Sequence, residues 1–176
     1  MDPKTLNTLE YFKILERLAN YCAFAASADK ARALRPTTSL EEAELWLKQT
    51  SEAVQMLVTR PDLTIGGARD VRTQVDLAAH GGVLAPGELL DLKSTLIAAR
   101  TLARTFERLG TQFPTLSEIA ARIPAAQGLV DNITRAISDR AEILDSASDK
   151  LNTIRRQLRI THDRLLTKLQ RMVADP

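Results

Sequence analysis

From Ala147 to Asp175 the apolar residues recur in a pattern that only a long helix satisfies. Projected at 100° per residue, Leu151, Ile154, Leu158, Leu165, Leu169 and Met172 fall on one stripe about 60–80° wide. A stripe this narrow, on a helix of about 28 residues, resembles a coiled-coil seam more than a globular core face. At 1.5 Å per residue the rod is roughly 40 Å long. A chain of 176 residues cannot cover it with the material that remains. Its distal half, from about Thr161, is therefore expected to project and to need a partner that the chain does not contain.

The rest of the chain agrees with helix. Leucine and alanine number 26 and 24 of the 176 residues, and aromatics make up only 4%. Helix formers in that proportion argue against a β-sandwich or barrel, which needs β-branched and aromatic residues. Charged residues at 26% and hydrophobic ones at 44% are ordinary for a folded domain. The single cysteine, Cys22, excludes an intrachain disulfide framework and fits a reducing compartment. Residues 1–10 form neither a signal peptide nor an apolar span, so the expected location is the cytoplasm, with no membrane partner.

Seven further helices are expected before the long one. Leu9, Phe12, Leu15, Leu18, Ala19 and Cys22 give one buried face of a helix from about Asn7 to Ala23, with Asn7 and Glu10 as a capping box. A helix over Ser27–Leu34 stops before Pro36. Ser39 and Glu42 form a second capping box for a helix to Thr59, which buries Ala43, Trp46 or Leu47, Val54, Leu57 and Val58. Leu63–Arg69, with Gly66 and Gly67, reads as a loop. Asp70 caps a short helix through Ala79, closed by Gly81 and Gly82. Pro86 opens a long helix to Leu109, with Gly110 as its stop. Pro114 opens the next, which ends before Pro124, and Leu129–Ile137 forms one more. Ser138–Asp145 reads as an extended turn. The prediction is an all-α, irregular bundle of seven to eight helices, with a core module over 1–145 and the long helix over 146–176.

Little in the chain supports chemistry. A phosphate-cradling loop needs glycines followed by Lys and Ser or Thr, and neither glycine pair has them. Cys22, His80 and His162 are scattered without metal-ligand spacing. His80 reads as a helix C-terminal cap, His162 as an edge residue beside the long stripe, and Cys22 as a small buried hydrophobe. Glu41, Glu42 and Glu44 suit a helix N-terminus, and Asp139, Glu142 and Asp145 a polar turn. Neither group has apolar surroundings that would raise a pKa. Leu90-Asp91-Leu92-Lys93 spells a tetrapeptide linked to nuclease activity in some proteins. It falls within a helix where Leu89, Leu92 and Leu96 take core spacing and Asp91 and Lys93 point mainly outward, and on that account it is read as a chance match. No catalytic, cofactor-binding or metal-binding residue is assigned.

The charge distribution says more. Residues 1–145 hold 17 Lys and Arg against 19 Asp and Glu, whereas residues 146–176 hold seven against three. On the long helix Arg155, Arg156 and Arg159 share one flank, and Arg164, Lys168 and Arg171 the opposite one. A rod with basic flanks suits contact with phosphates without base readout. The competing reading, a solvated surface partly paired with Asp163, is favoured for the fragment alone because no aromatics interleave for stacking.

The order of segments resembles a known family. Leu9-Glu10-Tyr11-Phe12-Lys13-Ile14-Leu15 is similar to the opening of type-two MutS proteins, bacterial MutS paralogues often called recombination-suppressing endonucleases, which typically reads leucine-glutamate-phenylalanine-aspartate-lysine-isoleucine-leucine. Tyr11-Phe12 departs from that pattern. Ala31–Pro36 and Leu40–Ala43 resemble the second and third helices of the family. Ile65–Arg72 resembles its following loop, Gly82–Asp91 the start of its long helix, and Leu144–Ser148 with Leu151 and Ile154-Arg155-Arg156 the beginning of its lever helix. The resemblance covers nearly the whole chain in the family's order.

The resemblance implies a helical core and lever region that starts the protein, excised or truncated before a clamp domain, an ATPase domain and a Smr nuclease domain. The piece would act mechanically, linking ATPase to clamp. The parent would be a homodimeric ATPase and endonuclease using ATP and Mg, binding double-stranded or branched DNA and suppressing recombination. Two alternatives stand beside it: a sensor that recognises collided ribosomes and splits them, and a free-standing helical interaction module.

Overall fold

The computed structural model describes residues 2–63 and 65–174; the expectations for Thr64 within the loop and Asp175 at the helix end lie outside them. The fold is all-α. Among the described residues nine α-helices follow one another: α1 (Pro3–Thr8), α2 (Tyr11–Ala19), α3 (Ala25–Arg32), α4 (Leu40–Thr59), α5 (Arg72–Ala79), α6 (Pro86–Leu109), α7 (Pro114–Ala120), α8 (Gln127–Ala136) and α9 (Asp149–Ala174). A 3₁₀ turn, Asp145–Ala147, precedes α9.

The core gathers where α6 meets α7. Phe106 and Ala120 are buried and Phe113 is fully enclosed, with Met56 of α4, Leu63, Leu102, Leu116 and Ile123 packed against them. α4 packs on α7, and α6 on both α7 and α8. α1 packs on α2, and α2 on α3. The Arg72 guanidinium links this N-terminal unit to the body, pairing with Asp29 of α3 at 2.6 Å and with Asp70 at 2.5 Å. The hydrogen bonds from Arg72 to Asp70 hold the Asp70 carboxyl down at about 2.

Several boundaries follow the caps expected from the sequence. Ser39 Oγ accepts from the amide of Glu42 at 3.3 Å, and α4 ends at Thr59 as expected. The Glu42 carboxylate takes the Thr37 hydroxyl instead of completing the box. α5 closes as a Schellman motif: the Gly81 amide donates to Ala78 and the Gly82 amide to Leu77, with Gly81 at φ +79°. His80 caps this end, its Nδ1 lying 2.8 Å from the Asp76 carbonyl. Pro86 and Pro114 each open a helix. An antiparallel bridge between Ile137 and Ile143 closes the Ser138–Asp145 turn.

Other expectations are corrected. The first helix is two: Pro3 opens α1, and Glu10 at φ +52° breaks the chain before α2. The Asn7–Glu10 capping box does not form, because Asn7 lies inside α1 and the Glu10 carboxylate pairs with Lys13 at 2.6 Å. Of the predicted face only Leu15 and Ala19 are buried. Cys22 lies beyond α2 and is half-buried.

The face of α4 is also reversed. Leu47, Val54, Leu57 and Val58 are exposed, while Glu52 is buried and Met56 faces the core. Apolar periodicity identifies an amphipathic helix but not which neighbour it meets. Lys93 does not point outward: its side chain is only 16% exposed and its Nζ reaches Asp139 at 3.1 Å.

Candidate nucleic-acid interface

α9 begins at a built base. Ser148 caps it, its Oγ accepting from the Leu151 amide and its carbonyl from the Asn152 amide, both at 3.1 Å. The turn beneath is tied to α8, because Ser146 Oγ donates to the Arg135 carbonyl at 2.6 Å and the Leu144 amide to the Ala136 carbonyl at 2.8 Å. Arg155, about two turns into α9, folds back onto this turn. Its Nη1 donates to the Ile143 carbonyl at 2.8 Å and to Asp145 Oδ1 at 2.7 Å. Arg159 reaches Asp145 Oδ2 at 3.4 Å. Chiefly through the Arg155 hydrogen bond, the Asp145 carboxyl is held below its ordinary range.

Beyond that base α9 has no cover among the described residues. None of its residues is buried, and the stripe residues Leu158, Leu165 and Met172 are 68%, 56% and 69% exposed. Projection therefore starts near Arg156, a turn and a half earlier than the expected Thr161. Here tertiary packing is the deciding fact: the helix packs chiefly on the 3₁₀ turn that it grows from.

The six basic residues divide into two groups. Arg155 and Arg159 are engaged with Asp145. Arg156, Arg164, Lys168 and Arg171 form no ion pair among the described residues. Arg164, Lys168 and Arg171 share one exposed face with Ile160, Asp163 and Thr167. Asp163 forms no ion pair among the described residues either, so the expected partial pairing is not made. The three cations span about 10 Å along the axis at 1.5 Å per residue. They form an exposed line of positive charge suited to an anionic polymer. His162 lies beside Ile154, Leu158 and Leu165 at the edge of the apolar stripe.

The anchor is not visible in the sequence. Asp145 reads there as part of a polar turn, and its pairing with Arg155 crosses a cap and a change of secondary structure that helical spacing cannot register. Among the described residues no cluster of three His, Cys, Asp or Glu could hold a metal ion, and no helix is long and apolar enough to cross a membrane.

No family model matches the chain. Curated relatives do, along nearly all of it. The Endonuclease MutS2 of Thermomicrobium roseum is 38% identical over 178 residues, covering 99% of this chain and 22% of that protein. That of Geobacillus thermodenitrificans is 35% identical over 182 residues, covering 100% of this chain and 23% of the relative. That of Bacillus cytotoxicus is 38% identical over 172 residues, covering 96% and 22%. The chain thus spans about a fifth of the length of these relatives. With that similarity running from the paired N-terminal helices to the projecting rod, the chain belongs to the type-two MutS family.

Proposed function

We propose that this chain is the helical core and lever of a cytoplasmic, homodimeric, ATP-dependent protein that binds double-stranded or branched DNA and limits recombination. The chain itself transmits force. ATP and Mg would be handled, and DNA cut, by parts of the protein outside these residues. The core module over 1–145 acts as the fixed body and the helix from 146 onward as the arm.

One observation carries this reading: α9 is anchored at its base by Arg155 and Asp145 and bare along the rest of its length. A rod held at one end turns a small rotation at that end into a larger displacement at the other. Arg164, Lys168 and Arg171, free of ion pairs among the described residues, give the rod a face that follows a phosphate backbone without reading bases.

Salt-dependent binding tests it. In the full-length protein, changing Arg164, Lys168 and Arg171 together to Ala should weaken duplex binding at low salt. It should also reduce the slope of log affinity against log salt by about 2–3, roughly 0.9 for each phosphate that is no longer neutralised. An unchanged slope would remove this face from the interface. Tighter binding to ribosomes than to any duplex would favour the ribosome-splitting alternative.

A further inference from the structure

A cleft of about 550 Å³ lies between α6 and α7, away from α9. It exists because the facing residues are small: Ala103 and Gly110 on or beside α6, Ala120 and Ala121 on or beside α7. Phe106, Ile123 and Pro124 give it an apolar lining, while Arg100, Arg104 and Glu107 follow one another along its α6 rim.

Arg100 distinguishes this cleft from a packing gap. Three basic side chains are half-buried among the described residues. Lys93 is paired with Asp139 at 3.1 Å and Arg155 with Asp145 at 2.7 Å. Arg100 has neither ion pair nor side-chain hydrogen bond among the described residues, and its neighbour Arg104 is exposed and equally unpaired. A partly desolvated guanidinium without an acceptor is a strong site for a carboxylate, which it takes in a bidentate grip.

We propose that this cleft docks an amphipathic helix from a separate partner protein. A carboxylate of that helix would meet Arg100 and Arg104, with apolar side chains a turn further on against Ile123 and Pro124. Glu107, at the other end of the rim, repels a second acid and so fixes the direction of the docked helix. Nucleic acid fits poorly: Phe106 is only 6% exposed and offers no face for stacking, and Glu107 repels phosphate. The charged rim around a small apolar floor is the anatomy of a non-obligate interface.

The test is photo-crosslinking in the full-length protein, with benzoylphenylalanine in place of Ala121 and the adducts sequenced after digestion. The expected result is an adduct with an acidic amphipathic helix of another protein, reduced at least ten-fold by Arg100→Glu and by Ala103→Leu, which fills the cleft. Melting midpoints establish that the variants fold, and Arg100→Gln reads the same charge dependence should Arg100→Glu fail to do so. Adducts within the same polypeptide or with a second copy, no adduct, or yields indifferent to both changes would overturn the proposal.

Discussion

The carboxylate of Glu52, midway along α4, caps the amino end of α7 through the amide of Thr115, 2.9 Å away. The next amide, that of Leu116, donates to the same oxygen at 3.1 Å. α7 needs this help because its own cap position is occupied by Phe113, which is fully enclosed and has no side-chain acceptor. A glutamate on one helix thus supplies what the sequence next to the other cannot, and it fixes α4 against α7.

Removing that cap should be costly. Glu52→Ala leaves two first-turn amides without a partner, and we expect a loss of about 1–3 kcal/mol, read from urea unfolding. Glu52→Gln keeps an acceptor and should lose less.

The same interaction sets a pH dependence. Burial raises the Glu52 carboxyl, but the amides of Leu116 and Thr115 that donate to it outweigh this, leaving the group below its ordinary 4.5. Because the folded value is depressed, the stabilisation is complete above the ordinary value and is lost as pH falls through the folded one. The difference in melting midpoint between wild type and Glu52→Gln should be constant from pH 7 to about 5 and shrink below about 4.5. A difference that grows with acid would contradict the assignment.

The Gly81-Gly82 turn yields a contrast between neighbours. A Cβ at Gly82 would sit 2.4 Å from Leu77 Cδ1 and 2.9 Å from the Leu77 carbonyl oxygen, so Gly82→Ala must displace backbone. Gly81→Ala meets no atom but must hold φ +79°, costing about 1–2 kcal/mol. Gly87→Ala, in open space within α6, should raise the melting midpoint by the equivalent of about 0.5–1 kcal/mol. Thermal melts of the three variants check the order.

Leu158 separates a projecting rod from a packed helix. A buried leucine changed to alanine costs about 2–5 kcal/mol, but Leu158 is 68% exposed. Leu158→Ala should therefore move stability by less than about 0.5 kcal/mol, whereas Phe113→Ala should cost about 3–5 kcal/mol. Thermal denaturation of the two variants side by side checks this.

Local signals are legible in the sequence and tertiary choices are not. Pro86, Pro114, Ser39 and the Gly81-Gly82 pair act within a few residues of themselves, so the boundaries they set can be read directly. The break at Glu10 escapes because the apolar spacing of Leu9 and Phe12 runs on across it, although the backbone does not. The span of α4 is legible but its orientation is not: its most apolar side faces outward, and its core side carries Glu52, whose partner lies 63 positions away. At the candidate site the basic residues are visible as charge. Their division between Arg155, held by Asp145, and the unpaired Arg164, Lys168 and Arg171 depends on a turn that periodicity does not describe.

The lever is tested most directly by breaking it where nothing supports it. Thr161→Pro removes a backbone hydrogen bond and kinks α9 beyond its anchored base. On the proposed function, the full-length variant is expected to keep its core melting midpoint and its basal ATP hydrolysis, while DNA no longer alters hydrolysis and nucleotide no longer alters DNA affinity. Coupling that survives the kink unchanged would contradict a rigid α9 as the link between the two.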